Sequence, residues 1–144
     1  MLSEPDVTIL LAEDNPGHVR LIEKNLRRAN ISKHIVKFEN GKQIMEYIFS
    51  HQKIQTSQVL VLLDLNLPVL NGYQVLKQMK SDYRTKHMPV VILTTSEDPA
   101  EIDKCYRSGC NLYIIKPLEY DQFAKAIQHL GHLFSIIKLP EKQH

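Results

Sequence analysis

The chain has 144 residues, with 18 Lys and Arg against 16 Asp and Glu, a net charge of +2. That length suits one compact domain with one core, and a composition of 43% hydrophobic and 24% charged residues excludes disordered and collagen-like chains. No apolar run exceeds strand length, which excludes a transmembrane helix, and cations spread over Lys24, Arg27, Arg28, Lys77, Lys80, Arg84 and Lys86 argue against a nucleic-acid footprint.

Residues 1–6 are polar and acidic, with no basic flank leading into a hydrophobic stretch. A tail is expected there, not a secretory signal, and the cytoplasm is the expected compartment. Val7 to Ala12 is the first apolar run. Asn15-Pro16 then offers an N-cap and a proline at the first helical position, and Asn30 marks the stop of that helix. His34 to Phe38 is a shorter, mixed run, as an edge strand would be. Asn40 with Gln43 reads as a variant capping box opening a second helix.

Val59 to Leu65 is nearly continuous in Val and Leu, the pattern of a parallel strand covered on both faces. Asn71 with Gln74 opens the next helix. Val90 to Thr95 repeats the buried-strand pattern, and Asp98-Pro99 with Glu101 repeats the cap. Gly109 ends that helix, and Asn111 to Lys116 is the second mixed, edge-like strand. Cys105 and Cys110 have neither disulfide-framework nor metal spacing and read as small packed hydrophobes. From Glu119 to Lys138 a long helix is expected, with Phe123, Ile127, Leu130, Phe134 and Ile137 on its core stripe. Leu133, Ile136 and Leu139 fall off that stripe and extend the apolar surface, which points to contact with a partner or a second copy.

The order is β-α repeated five times, an α/β chain with a doubly wound parallel sheet. In such sheets the functional crevice lies at the carboxyl ends of the strands. The residues there are Glu13 and Asp14, Asp64, Thr94 and Thr95, and Lys116-Pro117. Singly, each has a plain reading: a helix N-terminal acid pair, a turn aspartate, a strand threonine, a solvated edge lysine. Jointly they deliver acids, a hydroxyl and an ammonium to one crevice. Two carboxylates about 5 Å apart repel by roughly 3 kcal/mol at an effective dielectric near 20, so clustering them calls for a hard cation such as Mg²⁺. A carboxylate can attack phosphorus to give an aspartyl-phosphate. In that reaction Mg²⁺ and an ammonium neutralise the equatorial oxygens, and a hydroxyl adds a hydrogen bond.

The stretches Ile9-Leu-Leu-Ala-Glu-Asp-Asn15, Leu62-Leu-Asp-Leu-Asn-Leu-Pro68, Asn71-Gly72, Pro89-Val-Val-Ile-Leu-Thr-Thr95 and Tyr113-Ile-Ile-Lys-Pro117 resemble the motifs of two-component response-regulator receiver domains. The resemblance implies a flavodoxin-like fold of strand order 2-1-3-4-5, with residues 1–6 a tail, 7–131 the receiver and 132–144 a helix extension and C-terminal tail with no output domain. It further implies a phosphoacceptor at Asp64, aided by Lys116 and Thr94, and metal binding by Asp14, Asp64 and the Asn66 backbone carbonyl, with Glu13 acting through water. A cis bond at Lys116-Pro117 and a Thr94–Tyr113 switch belong to the same expectation. Such a protein is an autocatalytic phosphoacceptor, not an enzyme with external turnover. Asn66 and Ser96 stand where the family tunes phosphoryl lifetime.

The tail and motifs are similar, more narrowly, to the small response regulators of cyanobacterial phytochrome-type histidine kinases. That similarity makes such a kinase the expected phosphodonor. A homodimer through the last two helices and last strand is expected, with Leu133, Ile136 and Leu139 in its interface, and no nucleic-acid or membrane partner. Passing the phosphoryl group onward to a histidine phosphotransfer protein is the alternative. A haloacid-dehalogenase phosphatase would need an acid at Asn66, and a flavodoxin-like cofactor binder would need a phosphate cradle after the first strand. A docking module without phosphorylation would not need the complete set of site residues.

Overall fold

The computed structural model describes residues 7–28, 34–56 and 58–116, together with 119, 121, 122 and 125. Five parallel strands form one sheet in the order β2-β1-β3-β4-β5. They are β1 (Thr8–Ala12), β2 (His34–Phe38), β3 (Val59–Asp64), β4 (Val90–Thr94) and β5 (Leu112–Ile115). The expected α/β class, doubly wound topology and strand order are all present. β1, β3 and β4 are the continuous apolar runs because they lie inside the sheet with a layer on each face. β2 and β5 sit at the edges, which is why their sequences are mixed.

Side chains alternate across each strand. Ile9 and Leu11 join Leu60, Leu62, Val91 and Leu93 in a core against Ile22 and Leu26 of α1 (Pro16–Arg28). Leu10, Val61, Leu63 and Ile92 face the other way. There they meet Ile44 and Ile48 of α2 (Gly41–Ser50) and Val75, Leu76 and Met79 of the helix opened by Asn71. Each of these Leu and Ile side chains, fully removed from water, contributes about 1.5–3 kcal/mol. A five-residue helix, α3 (Gln52–Thr56), comes after α2 and has no counterpart in the expected order. Then come α4 (Gly72–Ser81) and α5 (Pro99–Arg107).

The caps are varied. Asn71 and Gln74 form the full reciprocal box. Asn40 accepts from the Gln43 N–H, but the Gln43 side chain accepts from Glu39, one residue further back. Asp98 accepts from the Ala100 N–H, and Glu101 accepts from the Ser96 hydroxyl instead of completing a box. Gly109 stops α5 at φ +104°, a conformation that only glycine adopts without strain. The stop expected at Asn30 lies outside the described residues, and α1 is described as far as Arg28.

The cations are less scattered than the sequence implies. Arg20, Lys24, Arg27 and Arg28 share one exposed face of α1 and line a hollow with Glu23, which pairs with both Arg27 and Lys37. Cys105 and Cys110 are free and buried. Burial, with the neighbouring Cys105 adding to it, pushes the Cys110 thiol up to about 12, so it stays unreactive. Among the described residues, no helix is long and apolar enough to cross a membrane. The expected helix from Glu119 to Lys138, the cis bond at Pro117, and Leu133, Ile136 and Leu139 lie outside the described residues or in their sparse last stretch.

Candidate functional site

The parallel register sets the strand ends level. Ala12 pairs with Leu63, Asp64 with Leu93, and Thr94 with Ile115. The residues that end or succeed β1, β3, β4 and β5 therefore open on one edge of the sheet. Asp64 is the last residue of the all-buried β3 and is itself buried. Glu13 is buried just after β1, whereas Asp14 beside it is exposed. One carboxylate oxygen from each of Glu13, Asp14 and Asp64 lies within 4.8 Å of the others.

Lys116 comes directly after β5, where its N–H donates to the Thr94 carbonyl at 2.7 Å. Its buried ammonium reaches back over the pocket, pairs closely with Glu13 and stands 3.4 Å from Asp64 Oδ2. Glu13 and Asp64 are therefore joined by one cation, and Lys116 is held mainly by Glu13, not by Asp64. Burial raises the Glu13 carboxyl above its usual range; Lys116 opposes that shift and Asp64 reinforces it. Three carboxylates against one ammonium leave two formal negative charges, and the donors are all hard oxygens. That set fits a divalent cation of the Mg²⁺ type.

The remaining expected residues surround this cluster. The Asn66 N–H donates to Asp64 Oδ1 at 3.1 Å and so orients the carboxylate. Asn66 itself is exposed at the rim. Thr94 ends β4 fully buried, and its hydroxyl oxygen accepts from the Ser96 N–H at 3.4 Å. Tyr113 is half-buried on β5, where its hydroxyl donates to the Ser96 carbonyl at 3.0 Å. Burial raises that phenol. Thr94 and Tyr113 thus grip the same residue of the β4–α5 loop.

Three neighbours have no sequence signal that places them at this site. The Tyr106 hydroxyl accepts from the Tyr113 N–H at 3.0 Å. Glu101 holds the Ser96 hydroxyl at 2.7 Å. His18, from the first turn of α1, places Nδ1 3.1 Å from the Lys116 ammonium. Its only clue in the sequence is its place four residues after Asp14, on a helix that starts at the pocket.

The loop from β3 to α4 borders the site and carries backbone strain. Val69 has φ +69°, a rare conformation for a β-branched residue, and its side chain is exposed. A cavity of about 510 Å³ opens beside this loop, between Asp14, Asn66, Tyr73, Glu101 and Lys104. The Lys104 ammonium lies over the Tyr73 ring at 3.9 Å.

Fold and pocket together define a flavodoxin-like α/β domain with an acidic, lysine-braced site at its strand ends. Comparison with known proteins is specific. The chain belongs to the response regulator receiver domain family, whose pattern matches residues 9–128. The probable methanogenesis regulatory protein FilR2 of Methanothrix harundinacea is 34% identical over 129 residues, 89% of this chain and 83% of that protein. A receiver domain crystal structure from Rhodospirillum rubrum is 44% identical with TM-score 0.77, covering 95% of this chain and 99% of that one. The phosphorylated cyanobacterial phytochrome response regulator RcpA is 32% identical with TM-score 0.76, covering 94% and 99%.

Proposed function

We propose that this response regulator receiver takes a phosphoryl group from a histidine kinase onto Asp64 in a Mg²⁺-dependent reaction and signals through protein contacts. The carrying observation is the meeting of Glu13, Asp14, Asp64 and Lys116 in one pocket. An Asp64 carboxylate oxygen forms the new O–P bond, and the bond from phosphorus to the donor breaks, the leaving group departing with its electron pair. The Asn66 N–H fixes the rotation of the attacking carboxylate. Lys116 offers an ammonium 3.4 Å from it for the incoming oxygens. Asp14, Asp64 and the Asn66 carbonyl would hold Mg²⁺, with Glu13 contributing through water; when bound, the ion supplies the positive charge that phosphoryl oxygens and carboxylates both need.

Thr94 and Tyr113 form the switch of this reading. The threonine releases Ser96 and moves toward the phosphoryl group, and the tyrosine turns inward behind it. Such a change requires different contacts in the two states, and the shared grip on Ser96 is the contact that would change. The reaction is autocatalytic, with no turnover of an external substrate, and its compartment is the cytoplasm. RcpA supports a phytochrome-type kinase as the phosphodonor, because its likeness extends over nearly the whole chain.

Incubation with acetyl phosphate and Mg²⁺ tests this on a phosphate-affinity gel. One acid-stable, base-labile adduct is expected, and none when EDTA replaces Mg²⁺. No adduct under any divalent cation would end the proposal. Replacing acetyl phosphate by an ATP-loaded phytochrome-type kinase tests the pairing, and transfer no faster than from an unrelated histidine kinase would refute it.

The same reading includes a homodimer through the last two helices and last strand, carried by the off-stripe apolar residues Leu133, Ile136 and Leu139. Leu133→Glu or Ile136→Glu is expected to shift gel-filtration elution from dimer to monomer with labelling intact. Unchanged elution as a dimer removes those residues from the interface.

A further inference from the structure

His18 lies in none of the motifs that define the site, yet it touches the lysine that braces the site. Its Nδ1 stands 3.1 Å from the Lys116 Nζ and 3.5 Å from Glu13 Oε1. An ammonium is a donor only. A proton on Nδ1 would point at those N–H groups across the shorter contact, so in this contact Nδ1 is the acceptor. Lys116 has three N–H donors, and three acceptors surround it: Glu13, His18 and Asp64. Every donor is committed. The contact to Asp64, at 3.4 Å, is the longest and weakest of those whose geometry is ordinary.

A phosphoryl group arriving on Asp64 adds oxygens that need that ammonium. Glu13 is charged, buried and close. The His18 side chain is 44% exposed, so water can satisfy its Nδ1 once the lysine leaves. The contact that gives way is therefore the one to His18.

We infer that His18 is a positioning residue for the phosphoryl-transfer site: it competes with the phosphoryl group for Lys116, holding the ammonium toward α1 in the resting state and slowing phosphorylation. This rests on the reading of Asp64 as phosphoacceptor. The effect acts through Lys116 alone, because His18 touches neither the attacking carboxylate nor, on this geometry, the phosphorus.

The experiment measures the second-order rate of labelling by acetyl phosphate in saturating Mg²⁺ for the parent chain, His18→Leu and His18→Asn. Leucine fills the space without an acceptor, whereas asparagine returns an oxygen near the position of Nδ1. His18→Leu is expected to label roughly tenfold faster or more, the worth of one hydrogen bond to a charged group. His18→Asn is expected to stay within about twofold of the parent on the same grounds. A purely structural role would not be rescued in this pattern, and because the side chain is partly exposed all three proteins should melt alike. Equal or slower labelling of His18→Leu overturns the inference, as does His18→Asn labelling as fast as His18→Leu. Absence of label in the parent chain defeats instead the assignment of Asp64.

Discussion

Asp64→Asn is expected to take no detectable label from acetyl phosphate and, without metal, to melt at a higher temperature than the parent chain. The two effects share one cause. The amide has no anionic oxygen to attack phosphorus, so the adduct vanishes. The amide oxygen still accepts from the Asn66 N–H, the bond that now orients Oδ1, so the loop geometry is kept. Removing the Asp64 charge also removes a repulsion that raises the buried Glu13 carboxyl. At about 5 Å and an effective dielectric near 20 that repulsion is roughly 3 kcal/mol. Lys116 offsets much of it in the parent, and the amide N–H₂ replaces the oxygen that accepts from Lys116 at 3.4 Å, so the net gain is about 1 kcal/mol, or about 3 °C in the unfolding midpoint. Thermal denaturation in EDTA reads the gain, and titration with Mg²⁺ should stabilise the parent more than the variant. Label persisting in Asp64→Asn would move the phosphoacceptor elsewhere. A clear loss of stability would mean that the cluster is not under charge stress.

The pocket was readable in the chain for a physical reason. Buried parallel strands announce themselves as unbroken Val, Ile and Leu runs, and the residues just past the end of such a run must stand at the sheet edge. Glu13, Asp14, Asp64, Thr94 and Lys116 each lie at a run's end or within two positions of it, so local pattern alone puts them on one rim. The caps at Asn40, Asn71 and Asp98 were equally local. The features hidden in the sequence are nonlocal or depend on register. His18 meets Lys116 across 98 positions, through the rotation of α1 about its axis, which no spacing fixes to the residue. Arg20, Lys24, Arg27 and Arg28 become one patch only when α1 is wound. The five residues of α3 carry no apolar period to betray a helix. Val69 is a β-branched residue forced to positive φ by its loop, where local preference points to extended backbone.

Gly72 was legible as the residue after a helix cap, but its deeper constraint appears only in three dimensions. A Cβ there would lie 2.2 Å from the Asp64 carbonyl oxygen and 2.8 Å from the Asp64 carbonyl carbon and Leu65 Cα. All three are backbone atoms, so no side-chain rotation relieves the overlap. The Gly72 N–H also donates to the Leu65 carbonyl at 3.0 Å, tying the start of α4 to the turn that carries Asp64. Gly72→Ala must push this turn and the helix apart. The expected cost is about 3 kcal/mol, at the upper end for overpacking because rigid main chain has to move, with labelling by acetyl phosphate down at least tenfold, since a 1 Å displacement of a reacting group can cost about 10²-fold.

Gly17→Ala is the control. Its Cβ would meet only the Asn15 side-chain oxygen, at 3.2 Å, a tip that can give, and alanine favours helix over glycine by up to about 1 kcal/mol. Chemical denaturation and the labelling rate, measured on both variants, separate a steric lesion at the strand end from a general intolerance of glycine replacement. Equal behaviour of the two would show that the approach of α4 to Asp64 is looser than the geometry says. A Gly72→Ala protein that loses stability but labels at the parent rate would show that the turn moves without carrying the carboxylate with it.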